Sequence, residues 1–157
     1  MAYQKLQTQR AIAVIPNDSG TVIPSPGGEI LSGTSSLLTS AFNLVGNPSD
    51  DFLKAQPGDV IYNITDSTTA TITAVQKTLL TLNANIFTAA SKAYKIYSTR
   101  GSDGPVLYVG TGGTVVMKTV GGDTVTLVNV PDASFLPIMT SVVVATGTTA
   151  SNILGLW

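Results

Sequence analysis

The side chains in this chain that could do chemistry are carboxylates. Asp18, Glu29, Asp50, Asp51, Asp59, Asp66, Asp103, Asp123 and Asp132 are its nine acidic residues, and no His or Cys occurs among its 157 residues. Two carboxylates that meet in space can hydrolyse a glycosidic bond, one as acid and the other as base or nucleophile. The absence of imidazole and thiol excludes Ser-His-Asp triads, Cys-His pairs and the usual zinc and iron–sulfur ligand sets. Most of the carboxylates stand beside Gly, Pro, Asn or Ser, where a short acceptor side chain closes an Asx-turn. A sugar-cleaving cleft is normally lined with aromatic residues and polar donors, whereas this chain has one Trp and one Glu. Turn building is therefore favoured over glycosidase chemistry. Calcium is conceivable at Asp50-Asp51 or Asp66, but no D-x-D-x-D-G spacing surrounds them. The expectation is a non-enzyme with no catalytic residue, no metal site and no cofactor.

The stretch Val109-Gly110-Thr111-Gly112-Gly113-Thr114 has the look of a phosphate cradle. A dinucleotide loop must open a helix, and a P-loop must carry Gly-Lys-Ser/Thr. Here a Val-Val-Met run follows, so the stretch is expected to be a turn. Eight basic and nine acidic residues leave a net charge of −1, with no cluster of Lys or Arg. A groove that tracks phosphates needs clustered cations, so nucleic acid is not an expected partner. Only 11% of residues are charged, against roughly 25% in ordinary soluble domains. So sparse a charge suggests that much of the surface contacts other protein. The apolar run Ala11 to Ile15 is too short for a leader or a membrane span, and Pro16 ends it. No membrane contact is expected.

These residues must be carried on strands, because the chain reads as short β-branched runs between turns. Val115-Val116-Met117-Lys118 and Thr124-Val125-Thr126-Leu127 flank Gly121-Gly122-Asp123, which suits a tight hairpin. Val115 and Met117 share one face, as do Val125, Leu127 and Asn129. Val128 breaks the alternation, as a strand covered on both faces would. Further strands are expected at 11–15, 34–39, 59–64, 69–75, 78–82, 93–98, 105–109, 138–146 and 153–157, the run from Ile138 being the longest. Single helical turns are expected at 86–92 and, capped by Ser49, at 49–55. The fold class is all-β, a sandwich or jelly-roll-like domain with an inserted small barrel. Breaks at the Pro- and Gly-rich stretch 17–33 and at Arg100-Gly101-Ser102-Asp103-Gly104-Pro105 divide the chain. Residues 1–33 hold an arm and a first strand that either pairs with the C-terminal part, which makes 34–98 an insertion, or reaches out to a neighbour. Residues 34–98 form the inserted barrel and 99–157 the C-terminal sandwich. The polar arm 1–10 has no local partner and is expected to dock on a neighbouring subunit or on the capsid.

Two stretches also resemble known families. Leu107-Tyr108-Val109-Gly110-Thr111-Gly112-Gly113, Val120-Gly121-Gly122-Asp123-Thr124-Val125-Thr126-Leu127, Phe135-Leu136-Pro137-Ile138, Ala145-Thr146-Gly147-Thr148-Thr149-Ala150 and the ending Ile153-Leu154-Gly155-Leu156-Trp157 occur in that order. They are similar to the signature of phage virion structural proteins of the kind that form spike bases in gene transfer agents and tailed phages. Ala11 to Ser19 resembles the opening of those proteins, which implies that the first strand pairs with the C-terminal part and that 34–98 is inserted. The middle portion, from Pro57-Gly58-Asp59-Val60-Ile61-Tyr62-Asn63 to Tyr94-Lys95-Ile96-Tyr97, resembles a small barrel module of phage and marine viral proteins. The resemblance implies a non-enzymatic, homo-oligomeric virion component, a capsid decoration or head spike base, assembled in the host cytoplasm. Its implied partners are copies of itself and a major capsid protein or a spike or fibre protein. The rival reading is a receptor- or carbohydrate-binding module of a phage fibre or tail.

Overall fold

The computed structural model describes residues 8–36, 40–101 and 103–157. The protein is all-β, as its turn spacing predicts, and the described residues form thirteen strands in three antiparallel sheets. Ala11–Ala13 (β1), Val106–Thr111 (β8), Ser134–Leu136 (β11) and Ser151–Leu156 (β13) make a four-stranded sheet in the order β1-β13-β8-β11. Gly113–Thr119 (β9), Thr124–Val130 (β10) and Thr140–Val143 (β12) make a three-stranded one in the order β10-β9-β12. The inner faces of these two sheets close on one core of Leu107, Val109, Val115, Met117, Val143 and Ile153. This is a sandwich, stabilised by removing β-branched and Leu side chains from water at roughly 25 cal/mol per Å².

One run of chain supplies the central strand of both sheets. β8 passes into β9 with only Gly112 between them. At that corner a β-carbon on Gly112 would overlap the carbonyl oxygen of Val130, and one on Gly113 would lie 2.9 Å from the nitrogen of Ala150. Gly113 also has a φ of +148°, open to glycine and hard for other residues. The backbone N–H of Gly112 donates to Asp132 Oδ1 at 2.6 Å. The glycine-rich stretch is thus no simple turn. It is a strand that changes sheets, and its glycines allow backbone to pass against backbone.

The other six strands are Glu29–Thr34 (β2), Asn43–Val45 (β3), Val60–Asn63 (β4), Thr68–Val75 (β5), Leu79–Leu82 (β6) and Ala93–Tyr97 (β7). They are ordered β2-β7-β4-β5-β6-β3. The sheet curls until its two edges meet, where Ser36 N–H donates to the carbonyl of Val45 at 2.9 Å. A second core fills this barrel, with Tyr94 at its centre and the rings of Phe52 and Phe87 edge-on to it at 6.0 and 6.2 Å. All of its strands lie within residues 29–97, and the two sheets of the sandwich come from 11–13 and 106–156.

Several local expectations need correction. Glu29–Thr34 is a strand, starting five residues before the boundary expected at 34, because it pairs with β7 along a barrel edge; residues 37–39 of the strand expected at 34–39 lie outside the described residues. Asn43–Val45 and Ser134–Leu136 are strands of three residues, too short to show a period. The strand expected at 138–146 reduces to Thr140–Val143, since Thr146 to Thr149 turn back onto β9. No helical turn forms at 86–92. The turn near 49–55 is a 3-10 helix at Phe52–Lys54, capped by Asp51 in place of Ser49. Val128 is not covered: a bulge between Leu127 and Val130, with Asn129 at a φ of +55°, shifts the alternation by one residue. Finally, Gln9 and Arg10 do have a local partner, Trp157, with Gln9 N–H on its carbonyl at 2.6 Å.

The corner gives a sharp mutational contrast. Gly112→Ala should cost about 3 kcal/mol, because its new methyl group meets only backbone. Gly121→Ala, in the open hairpin where nothing lies nearer than 3.6 Å, should shift stability by no more than about 0.5 kcal/mol. Urea unfolding midpoints of the two variants check this.

Candidate assembly surface

The nine carboxylates do not converge on a site. Asp18 accepts from the backbone N–H of Thr146 at 2.8 Å and from its hydroxyl at 2.9 Å, tying the N-terminal loop to a turn 128 residues away. Asp50 accepts from Asn47 N–H at 2.7 Å and from the Tyr94 hydroxyl at 3.0 Å. Asp51 accepts from Leu53 N–H as the cap of the 3-10 turn. Asp59 is buried, with 2% exposure, and accepts from Gln56 N–H at 2.9 Å and Thr99 N–H at 3.4 Å, with Arg100 at 3.8 Å. Asp66 joins Asn63 Nδ2 at 2.9 Å to Lys92 Nζ at 2.8 Å, and Glu29 pairs with Lys95 at 2.8 Å. Asp132 holds the Gly112 corner, while Asp103 and Asp123 are exposed in a linker and a hairpin turn. Among the described residues no three His, Cys, Asp or Glu side chains are placed to hold a metal ion.

Local electrostatics agree with a structural use of these groups. The Thr146 hydrogen bonds hold the Asp18 carboxyl below the ordinary aspartate range, and Lys92 with Asn63 does the same for Asp66. Burial, reinforced by the neighbouring Asp50, pushes the Tyr94 phenol far above the usual tyrosine value. Two concavities, of about 140 Å³ beside Ile23 and Thr140 and about 500 Å³ beside Val45 and Asn47, have no acidic or basic side chain on their walls.

What the structure does bring together is an apolar face. In the three-stranded sheet polar and charged side chains are spread among the outward residues: Thr114 and Lys118 on β9, Thr124 and Thr126 on β10, beside Val116 and Val128. That is the usual pattern for a sheet with one wet side. The four-stranded sheet lacks it. Phe135, Tyr108, Leu154 and Ala13 lie directly opposite one another across its four strands, and Val106, Leu156 and Ala11 form the next row. These side chains point away from the core residues Leu107, Val109 and Ile153, and none belongs to either core. No charged residue occurs in any of the four strands. The strands expected at 105–109 and 153–157 form as Val106–Thr111 and Ser151–Leu156, and the sequence signal for such a face is that their apolar residues do not alternate with polar ones. Among the described residues no helix is long and apolar enough to cross a membrane.

No protein-family model, no curated protein and no solved structure matches this chain.

Two predictions follow from the carboxylates. The folded-state pKa values of Asp18 and Asp66 lie below the ordinary 3.8, so their stabilisation is present above that value and lost as pH falls through the folded ones. The melting temperature should drop on acidification below about pH 4, and less steeply in the Asp18→Asn, Asp66→Asn double variant. Tyr94→Phe should cost about 1–2 kcal/mol in urea unfolding, by removing a hydrogen bond to a carboxylate.

Proposed function

We propose that this chain is a structural component of a bacteriophage virion, a homo-oligomeric capsid decoration or head spike-base protein with no catalytic activity. The observation that carries this reading is the four-stranded sheet, which has no charged residue and whose outward face is apolar but for the Tyr108 hydroxyl and Asn152. Contiguous uncharged surface of this kind marks a protein contact, and a chain with few charges elsewhere suits burial within an assembly. The ordered motifs that resemble spike-base proteins add a second line of support. They fall on neighbouring parts of one unit: β8 and the Gly112 corner, the β9–β10 hairpin, β11, the turn at 145–149 and β13. The carboxylates support the absence of catalysis in a specific way, since seven of the nine accept structural hydrogen bonds or pair with a cation.

In this role the chain is assembled in the host cytoplasm and contacts copies of itself and a major capsid protein or a spike or fibre protein. It contacts neither nucleic acid nor membrane. Repetition makes weak contacts effective, because each further contact in a many-copy array forms at high local concentration. The expected docking of the arm 1–10 now concerns residues 1–7, which lie outside the described residues, because Gln9 and Arg10 are bonded to Trp157.

Mass spectrometry of purified phage particles should find the chain in stoichiometric amount, and its absence from them would overturn the proposal. Removing residues 1–7 should lower incorporation several-fold while leaving the melting temperature unchanged. Wild-type incorporation by the truncated chain would take the arm out of the reading.

A further inference from the structure

The apolar face tapers from one edge to the other. Phe135, on the β11 edge, is 43% exposed. Tyr108 and Leu154 follow it across the sheet, and the β1 edge ends in the exposed methyl groups of Ala13 and Ala11. A knob and a hollow therefore stand on one face, three strand spacings or about 14 Å apart. Ala13 also borders Tyr62 and Thr69 of the barrel across a shallow cleft, so barrel side chains flank the hollow.

A two-fold axis parallel to the strands, lying against this face between β8 and β13, carries the β11 edge of one copy over the β1 edge of another. We infer that the face is an isologous contact between two copies of this chain, with Phe135 of each copy seated over Ala11 and Ala13 of its mate. Charge and shape both select a second copy as the occupant. A partner with an ordinary charged surface would have to strip water from its charges against a face that offers none in return. A second copy brings an uncharged face, and the same operation matches large to small at both ends, as self-complementary contacts require. The inference rests on the reading of the chain as a homo-oligomeric building block and names the surface through which copies meet.

Size sets the strength. Two strands of six residues and two of three, at about 4.8 Å between strands and about 3.4 Å per residue, give a face on the order of 300 Å², below the roughly 800 Å² per partner of a standard stable interface. The isolated pair is therefore weak and concentration-dependent.

Sedimentation of the purified full-length chain over rising concentration tests the contact. Wild type should shift from monomer towards dimer. Phe135→Ala, which empties the hollow, and Ala13→Phe, which sets two rings against each other, should each weaken pairing about tenfold, equivalent to about 1.4 kcal/mol. The double variant Ala13→Phe, Phe135→Ala restores large over small and should recover most of the affinity. A monomeric wild type, or a double variant no better than the singles, overturns the inference. Because the chain has no Cys, a second measurement is free of background. Chains carrying Ala13→Cys, mixed with chains carrying Phe135→Cys, should oxidise to a mixed disulfide dimer faster than when mixed with chains carrying Thr88→Cys on the barrel. Equal rates overturn it too. A chain that pairs in both assays but is missing from particles retires the virion reading and leaves the contact. A particle-bound chain that fails both assays does the opposite.

Discussion

Both sheets of the sandwich depend on the passage of one strand through Gly112 and Gly113. β8 is interior to the four-stranded sheet and β9 to the three-stranded sheet, so every other strand of the sandwich pairs directly or indirectly with this run. The crossing brings the chain against Val130 and Pro131 on one side and Thr149 and Ala150 on the other, closer than any β-carbon permits. Asp132 then holds the Gly112 N–H. With the corner set, the inner faces of the two sheets oppose each other and the core between them follows.

The two sides of the sandwich are finished differently. On one side the N-terminal segment stitches the sheets together, with Val14 N–H on the carbonyl of Ile153, Asn17 N–H on Val143 and Ile23 N–H on Ser141. Asp18 extends this lacing to Thr146. On the other side β10 and β11 are edge strands joined by a short connection, with Val128 and Phe135 exposed. Edges of this kind are usually blunted by charge or by irregularity. Here the bulge at Val128-Asn129 and the shortness of β11 serve, with no Lys or Arg on either strand.

Between β1 and β8 the chain leaves the sandwich, builds the barrel and returns. The seam between them is polar and modest: Thr21 lies near the side chains of Thr71 and Asn83, and Thr99 hydrogen-bonds Gly58 and Asp59. The buried Asp59 thus clamps the exit from the barrel to the turn that begins β4. Carboxylates that might have formed a reactive pair are spread over such joints, one to each, where a single acceptor satisfies backbone N–H groups that the strands leave unpaired.

Much of this was legible along the chain. The absence of His and Cys, the low charge and the turn-punctuated β-branched runs determined an all-β protein without imidazole or thiol chemistry, because these depend on residue type and on a period of two. The hairpin at Gly121-Gly122 was readable for the same local reasons, whereas the residues left open whether Ala11–Ala13 pairs with the C-terminal strand or with a neighbour, and the structure decides for the C-terminal strand. Three-residue strands such as Asn43–Val45 were not, since no period fits in them, and the bulge at Val128 looked like burial on both faces. Only the tertiary structure decided that the glycine-rich stretch is a sheet-changing corner, that seven of the nine carboxylates are committed to separate structural contacts, and that Phe135 and Ala13 lie in one row on a face without charged residues. Those outcomes depend on register between strands far apart in sequence, which composition and spacing do not encode.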